Sequence, residues 1–328
     1  MDLAEELSVE CFKKGADVLL NAWTDRYYEA FMRYLSPESL REPSVWCKVL
    51  AENATAQFWL GAIVNPAIIR RAPPEKLSAA DEGEAIAHGG RRVRNLFLGI
   101  SAVTKPRAEA YGFDYVDWYR STLAASTVDF RILREIGERI SRRLEASENV
   151  EMTAPNGTNL KLSIKGRRAR INDGIVDDQD IAEGTLQTSL PAGSVLVSAD
   201  ETSANGVFVS DVTTPWAGRT INRLIWEFRE GRIARFDGDL HALRLRKSWE
   251  TATGNKNRIG WITIGLNPKM KMGYTHNEIS SGAIGVGLGD NRDLEGNNKS
   301  GFSHLQVTAK ATMRVDGETV VEKGMLKV

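Results

Sequence analysis

Apolar positions at Leu3, Leu7 and Cys11 follow helical spacing and the run stops at Gly15, which predicts an opening helix. Ala16–Asn21 then reads as a short apolar strand, Asp25–Leu35 as a second helix ended by Ser36-Pro37, and Glu38–Val49 as a third. Gln57–Val64 reads as a buried strand closed by Asn65-Pro66, residues 72–90 as a loop plus helix, and Asn95–Val103 as another apolar strand that Pro106 limits. After Asp129, Leu133, Ile136, Ile140 and Leu144 fall on one helical face, opposite a solvated face of Arg134, Glu135, Glu138, Arg139, Arg142 and Arg143. Strands that alternate with helices predict a parallel sheet.

The period changes after Glu148. Asn156-Gly157 is a hairpin turn, and Leu160, Leu162 and Ile164 alternate with polar residues. Leu224, Trp226 and Phe228 alternate into the Glu230-Gly231 turn with Ile233–Phe236 returning, and Asp316-Gly317 joins Ala309–Val315 to Glu318–Val321. The expected fold class is therefore α/β: a parallel-sheet domain over residues 1–148 and a β-rich, mixed or antiparallel domain over 149–328, with a cleft between them. Gly282–Gly289 lacks the following helix and the lysine of a phosphate loop, so it reads as a strand whose glycines admit close backbone approach.

At 328 residues and 42% hydrophobic the chain can bury two cores. Lys plus Arg and Asp plus Glu both number 43, which argues against nucleic acid as a partner. No stretch approaches a membrane span and the first residues do not read as a signal peptide, so a cytoplasmic location is expected. Cys11 and Cys47, the only cysteines, read as small buried apolar residues rather than as a disulfide or half of a zinc site.

Several segments carry a family likeness: Asn156-Gly157-Thr158-Asn159-Leu160 with Gly166-Arg167, Ser189-Leu190-Pro191-Ala192-Gly193-Ser194-Val195, Asn205-Gly206, Ile259-Gly260-Trp261 with Gly265-Leu266-Asn267-Pro268, and Asn298-Lys299-Ser300-Gly301-Phe302-Ser303-His304. Together they resemble the second domain of the thermophilic metallo-aminopeptidases typified by aminopeptidase T. The likeness covers Glu151–Val328 well and the first domain more loosely, so that the N-terminal domain looks trimmed. That family holds two divalent metals, which need carboxylate and imidazole ligands. In this likeness Ser194 and Trp261 stand where the family has carboxylates, Gly285 stands for a histidine, His304 survives, and Gln306 replaces an aspartate. A related branch, the ring-cleaving iron dioxygenases of dihydroxypyridine, uses the positions matching Gly285, His304 and Gln306, and the chain departs from that pattern too.

The resemblance implies a homodimer and a former substrate cleft without its metals. The expectation from sequence is a non-catalytic protein, with no cofactor or metal assigned, that binds a peptide or small ligand in the cleft, such as a precursor peptide in a ribosomal-peptide natural-product pathway. One alternative is an enzyme with a rebuilt mononuclear site of His276, Glu278 and His304, acting as a peptidase or ring-cleaving dioxygenase. The other is a partner subunit of an active enzyme. Candidate ligand-binding positions are Ser194, Trp261, Gly285, His304 and Gln306, with His276, Glu278 and Arg219 as further cleft residues. Asp200, Glu201 and Arg223 are charges near the same segments, Trp226 is assigned to the core, and Trp261 to the pocket.

Overall fold

The computed structural model describes residues 2–61, 63–88 and 93–327. The opening helix, Asp2–Lys13, forms as the spacing predicts, and Gly15 follows it at φ 78°. Ala16–Asn21 is not a strand: among the described residues no strand pairs with it, and Leu19 and Leu20 are exposed. Apolar residues make a strand only where a ladder and a buried face receive them. Asp25–Tyr34 is helical with Thr24 as its N-cap. The single helix expected over Glu38–Val49 is two, Pro37–Arg41 and Val45–Asn53. Pro43 separates them because it holds Glu42 in an extended conformation (φ −82°, ψ 129°).

Ala56–Leu60, Arg94–Leu98 and Gln187–Leu190 make a three-stranded parallel sheet. Both early strands are shorter than their apolar runs. After Leu60 the backbone turns to a carboxylate, with Val64 N and Asn65 N donating to Asp25 at 2.8 and 3.0 Å, and after Leu98 the chain enters a 3-10 turn, Gly99–Ala102. All but two of the remaining strands form two antiparallel sheets of eight and five strands, and the last two, Thr214–Trp216 and Arg219–Ile221, pair as a hairpin. The five-stranded sheet runs Ser303–Thr308, Ile284–Gly289, Ile259–Gly265, Ser194–Ser198, Ala169–Asn172. Between the two sheets lies the main core, where Val195, Val197, Ile262, Ile264, Val286 and Leu288 meet Met152, Leu160, Phe208, Trp226 and Phe228. Trp226 is fully buried, as its alternation with Leu224 and Phe228 anticipates.

The helix Phe130–Glu145, capped by Asp129, packs on the five-stranded sheet through Leu133, Ile140 and Leu144. Gly137 permits that approach, since a Cβ there would lie 2.7 Å from Ile171 Cγ2. Composition changes near 148, but packing crosses that point twice: this helix joins the C-terminal core, and Gln187–Leu190 completes the N-terminal sheet. Four further helices, Lys105–Tyr111, Tyr115–Ser126, Asp178–Glu183 and Leu240–Thr251, lie where the sequence reading placed none. Cys11 and Cys47 are only half-buried, less than the sequence reading expects. Among the described residues no helix is long and apolar enough to cross a membrane.

Candidate functional site

Side chains on a strand alternate between faces, and directly paired residues share a face. Trp261 pairs with Ser198 and with Gly287, Thr263 pairs with Leu196 and with Gly285, and Gly265 pairs with Ser194. Ser194, Trp261 and Gly285 therefore lie together on the face turned away from the main core. His304 and Gln306 do not join them. They pair with Leu288 and Val286, both core residues, so their side chains enter the space between the sheets. The residues that the last strand turns toward Trp261 and Gly285 are Ser303, Leu305 and Val307.

In the core, Gln306 is fully buried and holds His304 in place. Ser210 donates to Gln306 Oε1 at 2.9 Å, and Gln306 Nε2 donates to His304 Nε2 at 2.8 Å. An amide nitrogen only donates, so His304 Nε2 is the unprotonated nitrogen of a neutral ring. Burial against Trp226 and Phe302 holds the His304 imidazole down at about 4. This histidine is half-buried beside the core, with Nε2 committed to the Gln306 amide.

On the outer face Trp261, 9% exposed, covers the sheet and lines neither cavity described below. Its indole lies on Gly287, where a Cβ would come within 2.1 Å of Cε2. A side chain at 285 has no room either, because a Cβ there would lie 2.4 Å from Thr263 Oγ1 and 3.0 Å from Leu305 Cδ1. Beneath this cover Ser198 Oγ and Thr263 Oγ1 are buried without a hydrogen-bond partner among the described residues. The face thus presents Ser194, Trp261, Gly285, Ser303 and Leu305, a set without imidazole, thiolate or carboxylate. Among the described residues no three His, Cys, Asp or Glu side chains converge where a metal could be held, so the donor set does not fit the metal centres that the family resemblance implies.

His276 and Glu278 do come together, in the loop that precedes Ile284–Gly289. His276 Nδ1 is 3.6 Å from Glu278 Oε1, and His304 is on the far side of the sheet, so the three-residue metal site suggested by sequence is not assembled. His276 adopts a left-handed conformation (φ 57°, ψ 38°), uncommon for a side-chain-bearing residue. Asn277, buried, enforces it by donating through Nδ2 to Thr213 O and Tyr274 O and accepting Gly273 N at Oδ1. The imidazole reaches the N-terminal sheet: a Cβ on Gly99 would lie 2.5 Å from His276 Nε2 and 3.2 Å from Leu190 O. Gly99 and Leu190 stand at the carboxyl ends of parallel strands, where open α/β sheets place their ligands.

A cavity of about 270 Å³ opens at this point, lined by Thr214, Pro215, Tyr274, Thr275, His276, Asn277, Glu278, Leu305 and Val307. Trp118 Nε1 donates to Thr275 Oγ1 at 3.2 Å, and Tyr274 donates its hydroxyl to Asp117 Oδ2 at 2.8 Å. Burial, with the hydrogen bond to Asp117 added, pushes the Tyr274 hydroxyl up to about 12, so Tyr274 stays a neutral donor. Beyond Tyr274 lies a second cavity of about 420 Å³. Tyr274, Thr275, Asn277 and their helix partner Trp118 were not singled out from sequence. The available signal was a dense hydrogen-bonding run, Tyr-Thr-His-Asn-Glu, between Gly273 and Ile279.

The remaining candidates lie elsewhere. Arg219, in the hairpin Thr214–Trp216 and Arg219–Ile221, lines neither cavity, and its Nε is buried without an acceptor among the described residues. Glu201 pairs with Arg167 at 2.7 Å and accepts from Asn291 and Asn297, while Asp200 accepts from Thr202, so both serve turns. Arg223 N donates to Asp239, which caps the helix Leu240–Thr251.

The family model described as NicX, 2,5-dihydroxypyridine 5,6-dioxygenase, matches residues 130–328, which begin at the helix that packs on the five-stranded sheet. The solved structure of wild-type AmpT from Thermus thermophilus aligns with 100% of this chain and 91% of its own, at a TM-score of 0.71 and 14% identity. That of the 2,5-dihydroxypyridine dioxygenase from Pseudomonas putida aligns with 90% of this chain and 98% of its own, at a TM-score of 0.53 and 14% identity. At this identity the two structures establish the fold, an α/β aminopeptidase T-like architecture. No curated protein matches the chain.

Proposed function

Because this chain belongs to the 2,5-dihydroxypyridine 5,6-dioxygenase family, we propose that it binds a small hydroxylated aromatic ring in the cavity beside His276. The observation that carries the reading is the pairing of that cavity with a strained, clamped histidine at the carboxyl ends of the parallel strands. Strain held by surrounding hydrogen bonds is a common mark of a ligand-contacting residue. Leu305, Val307 and Pro215 offer apolar walls for a ring, while His276 and Glu278 offer acceptors for a ring hydroxyl. A cavity of about 270 Å³ suits one ring better than the extended peptide anticipated from sequence. The outer face of the sheet does not fit a metal ion, so no step of this reading passes through one.

The test is calorimetric titration with 2,5-dihydroxypyridine and with pyridine, alongside dioxygen uptake with and without ferrous iron. The expected result is binding of the hydroxylated ring without added metal. His276→Ala is expected to weaken it about tenfold, the scale of one well-placed hydrogen bond to a buried group, while leaving pyridine unaffected. No binding of the hydroxylated ring by the native protein would refute the reading. A second reading keeps the family's ring-opening oxygen chemistry, which membership of that family favours. It requires metal ligands that no cluster among the described residues supplies, and stoichiometric iron with dioxygen uptake would establish it in place of the first.

The homodimer implied by the resemblance is also retained as a proposal. Helices Asp2–Lys13 and Val45–Asn53 bury almost nothing within the chain and expose Phe12 and Trp46, which is the apolar surface a second copy would cover. Native mass spectrometry is expected to give two chains, and a monomer at micromolar concentration would rule the dimer out.

A further inference from the structure

Resting on the ring reading of the cavity beside His276, we infer that Leu305 is its specificity-determining residue: it closes the cavity against the glycine floor of the outer sheet face and so limits the ligand to a single ring. Gly285 and Gly287 alternate on one strand, so on that face they leave a trough with no side chains of its own. Neighbours on either side fill it. Trp261 lies over Gly287 from the strand Ile259–Gly265. From the strand Ser303–Thr308, Leu305 pairs with Gly287 but leans over Gly285, its Cδ1 3.0 Å from where a Cβ on Gly285 would stand. Thr263 Oγ1, buried without a hydrogen-bond partner among the described residues, is 2.4 Å from the same point. The trough is therefore full, and Trp261, Thr263, Gly285 and Gly287 do not line the cavity.

Leu305 belongs to both places. It lines the cavity together with His276, and its tip rests on the glycine floor behind. The other apolar walls are held differently: Val307 is buried with Val212 and Ala283, and Pro215 is paired within the hairpin of Thr214–Trp216 and Arg219–Ile221. Shortening Leu305 removes the tip that stands over Gly285, and glycine at 285 and 287 leaves no other side chain on that strand to take its place. The flat backbone exposed in this way is a surface on which the edge of a second, fused ring makes van der Waals contact. Ser303–Thr308 is the edge strand of its sheet and Leu305 is only half-buried, so the truncation takes packing from a margin and not from the main core.

The experiment compares two ligands by calorimetry: 2,5-dihydroxypyridine, and the dihydroxyisoquinoline that carries the same two hydroxyls with a benzo ring fused to the unsubstituted edge. The native protein is expected to bind the single ring about tenfold tighter than the fused pair. Leu305→Ala is expected to hold the single ring within about threefold of native and to bind the fused pair about tenfold tighter than the native protein does, the scale on which a few methylenes of a pocket wall discriminate. Leu305→Met, which conserves volume, is expected to keep the native preference. Leu305→Val removes less of the wall and repeats the comparison in case alanine disturbs the strand, with a gain for the fused pair again expected. A native protein that binds the fused pair as tightly as the single ring, or no gain for the fused pair in either shortened variant, would overturn the role of Leu305 while the ring reading stands. So would an equal gain in Leu305→Met. Native protein that binds neither ligand would overturn both.

Discussion

Gly287→Ala is expected to unseat Trp261 and to cost about 3 kcal/mol of stability, the upper range for overpacking a close-packed site. The methyl would lie 2.1 Å from Cε2, 2.2 Å from Cδ2 and 2.5 Å from Cε3 of the indole, all inside van der Waals contact. All three atoms belong to the ring itself, so no terminal rotation relieves the clash, and the whole side chain must leave the sheet. Its departure would expose an indole that is now 9% accessible and would open the space above the unpaired hydroxyls of Ser198 and Thr263. Urea denaturation of the native protein, Gly287→Ala, Trp261→Ala and the double variant measures this. Because the three atoms nearest an alanine Cβ at 287 all belong to Trp261, the double variant is expected to be about as stable as Trp261→Ala alone, a strongly non-additive cycle. A Gly287→Ala protein within about 0.5 kcal/mol of native would mean that Trp261 does not rest on Gly287.

That prediction also marks where the sequence was legible and where it was not. The amphipathic spacing of Leu133, Ile136, Ile140 and Leu144, and the alternation of Leu224, Trp226 and Phe228, each encode a local period with one buried face, and both elements form as read. The glycines of Ile284–Gly289 also carried their message, since Gly285 and Gly287 are the floor on which Thr263 and Trp261 lie. What the sequence could not fix was the face presented by the adjoining strand. A shift of one residue moves every side chain to the opposite side of a sheet, and a partner with glycine at alternate positions has no side chains to pin that choice. Family likeness thus placed His304 and Gln306 beside Gly285, whereas the pairing gives that place to Ser303 and Leu305. The loop around His276 escaped for another reason. Its shape depends on contacts far along the chain, Asn277 to Thr213 and Trp118 to Thr275, which no local pattern announces.

The placement of His304 against Trp226 and Phe302 has its own consequence in acid. Its ring, ordinarily at 6.5, is held at about 4 by burial, so protonation is easier in the unfolded chain than in the folded one. Above pH 6.5 both states are neutral at this site and it does not affect stability. As pH falls below 6.5 the unfolded state takes up the proton first, and folding loses about 1.4 kcal/mol per unit until the folded ring also protonates near pH 4. The full loss is on the order of 3 kcal/mol, a large share of the stability of an ordinary domain. Gln306 sharpens it, because an imidazolium would direct a proton at the amide nitrogen that now donates to Nε2, and Ser210 holds that amide in its present orientation. Urea denaturation of the native protein and of His304→Gln between pH 7.5 and 4 isolates the effect, since other acidic groups titrate in both. The native protein is expected to lose on the order of 3 kcal/mol more than the variant across this range. Parallel profiles would mean that His304 accepts a proton in the folded state as readily as in water, and would return it to the list of groups a ligand could reach.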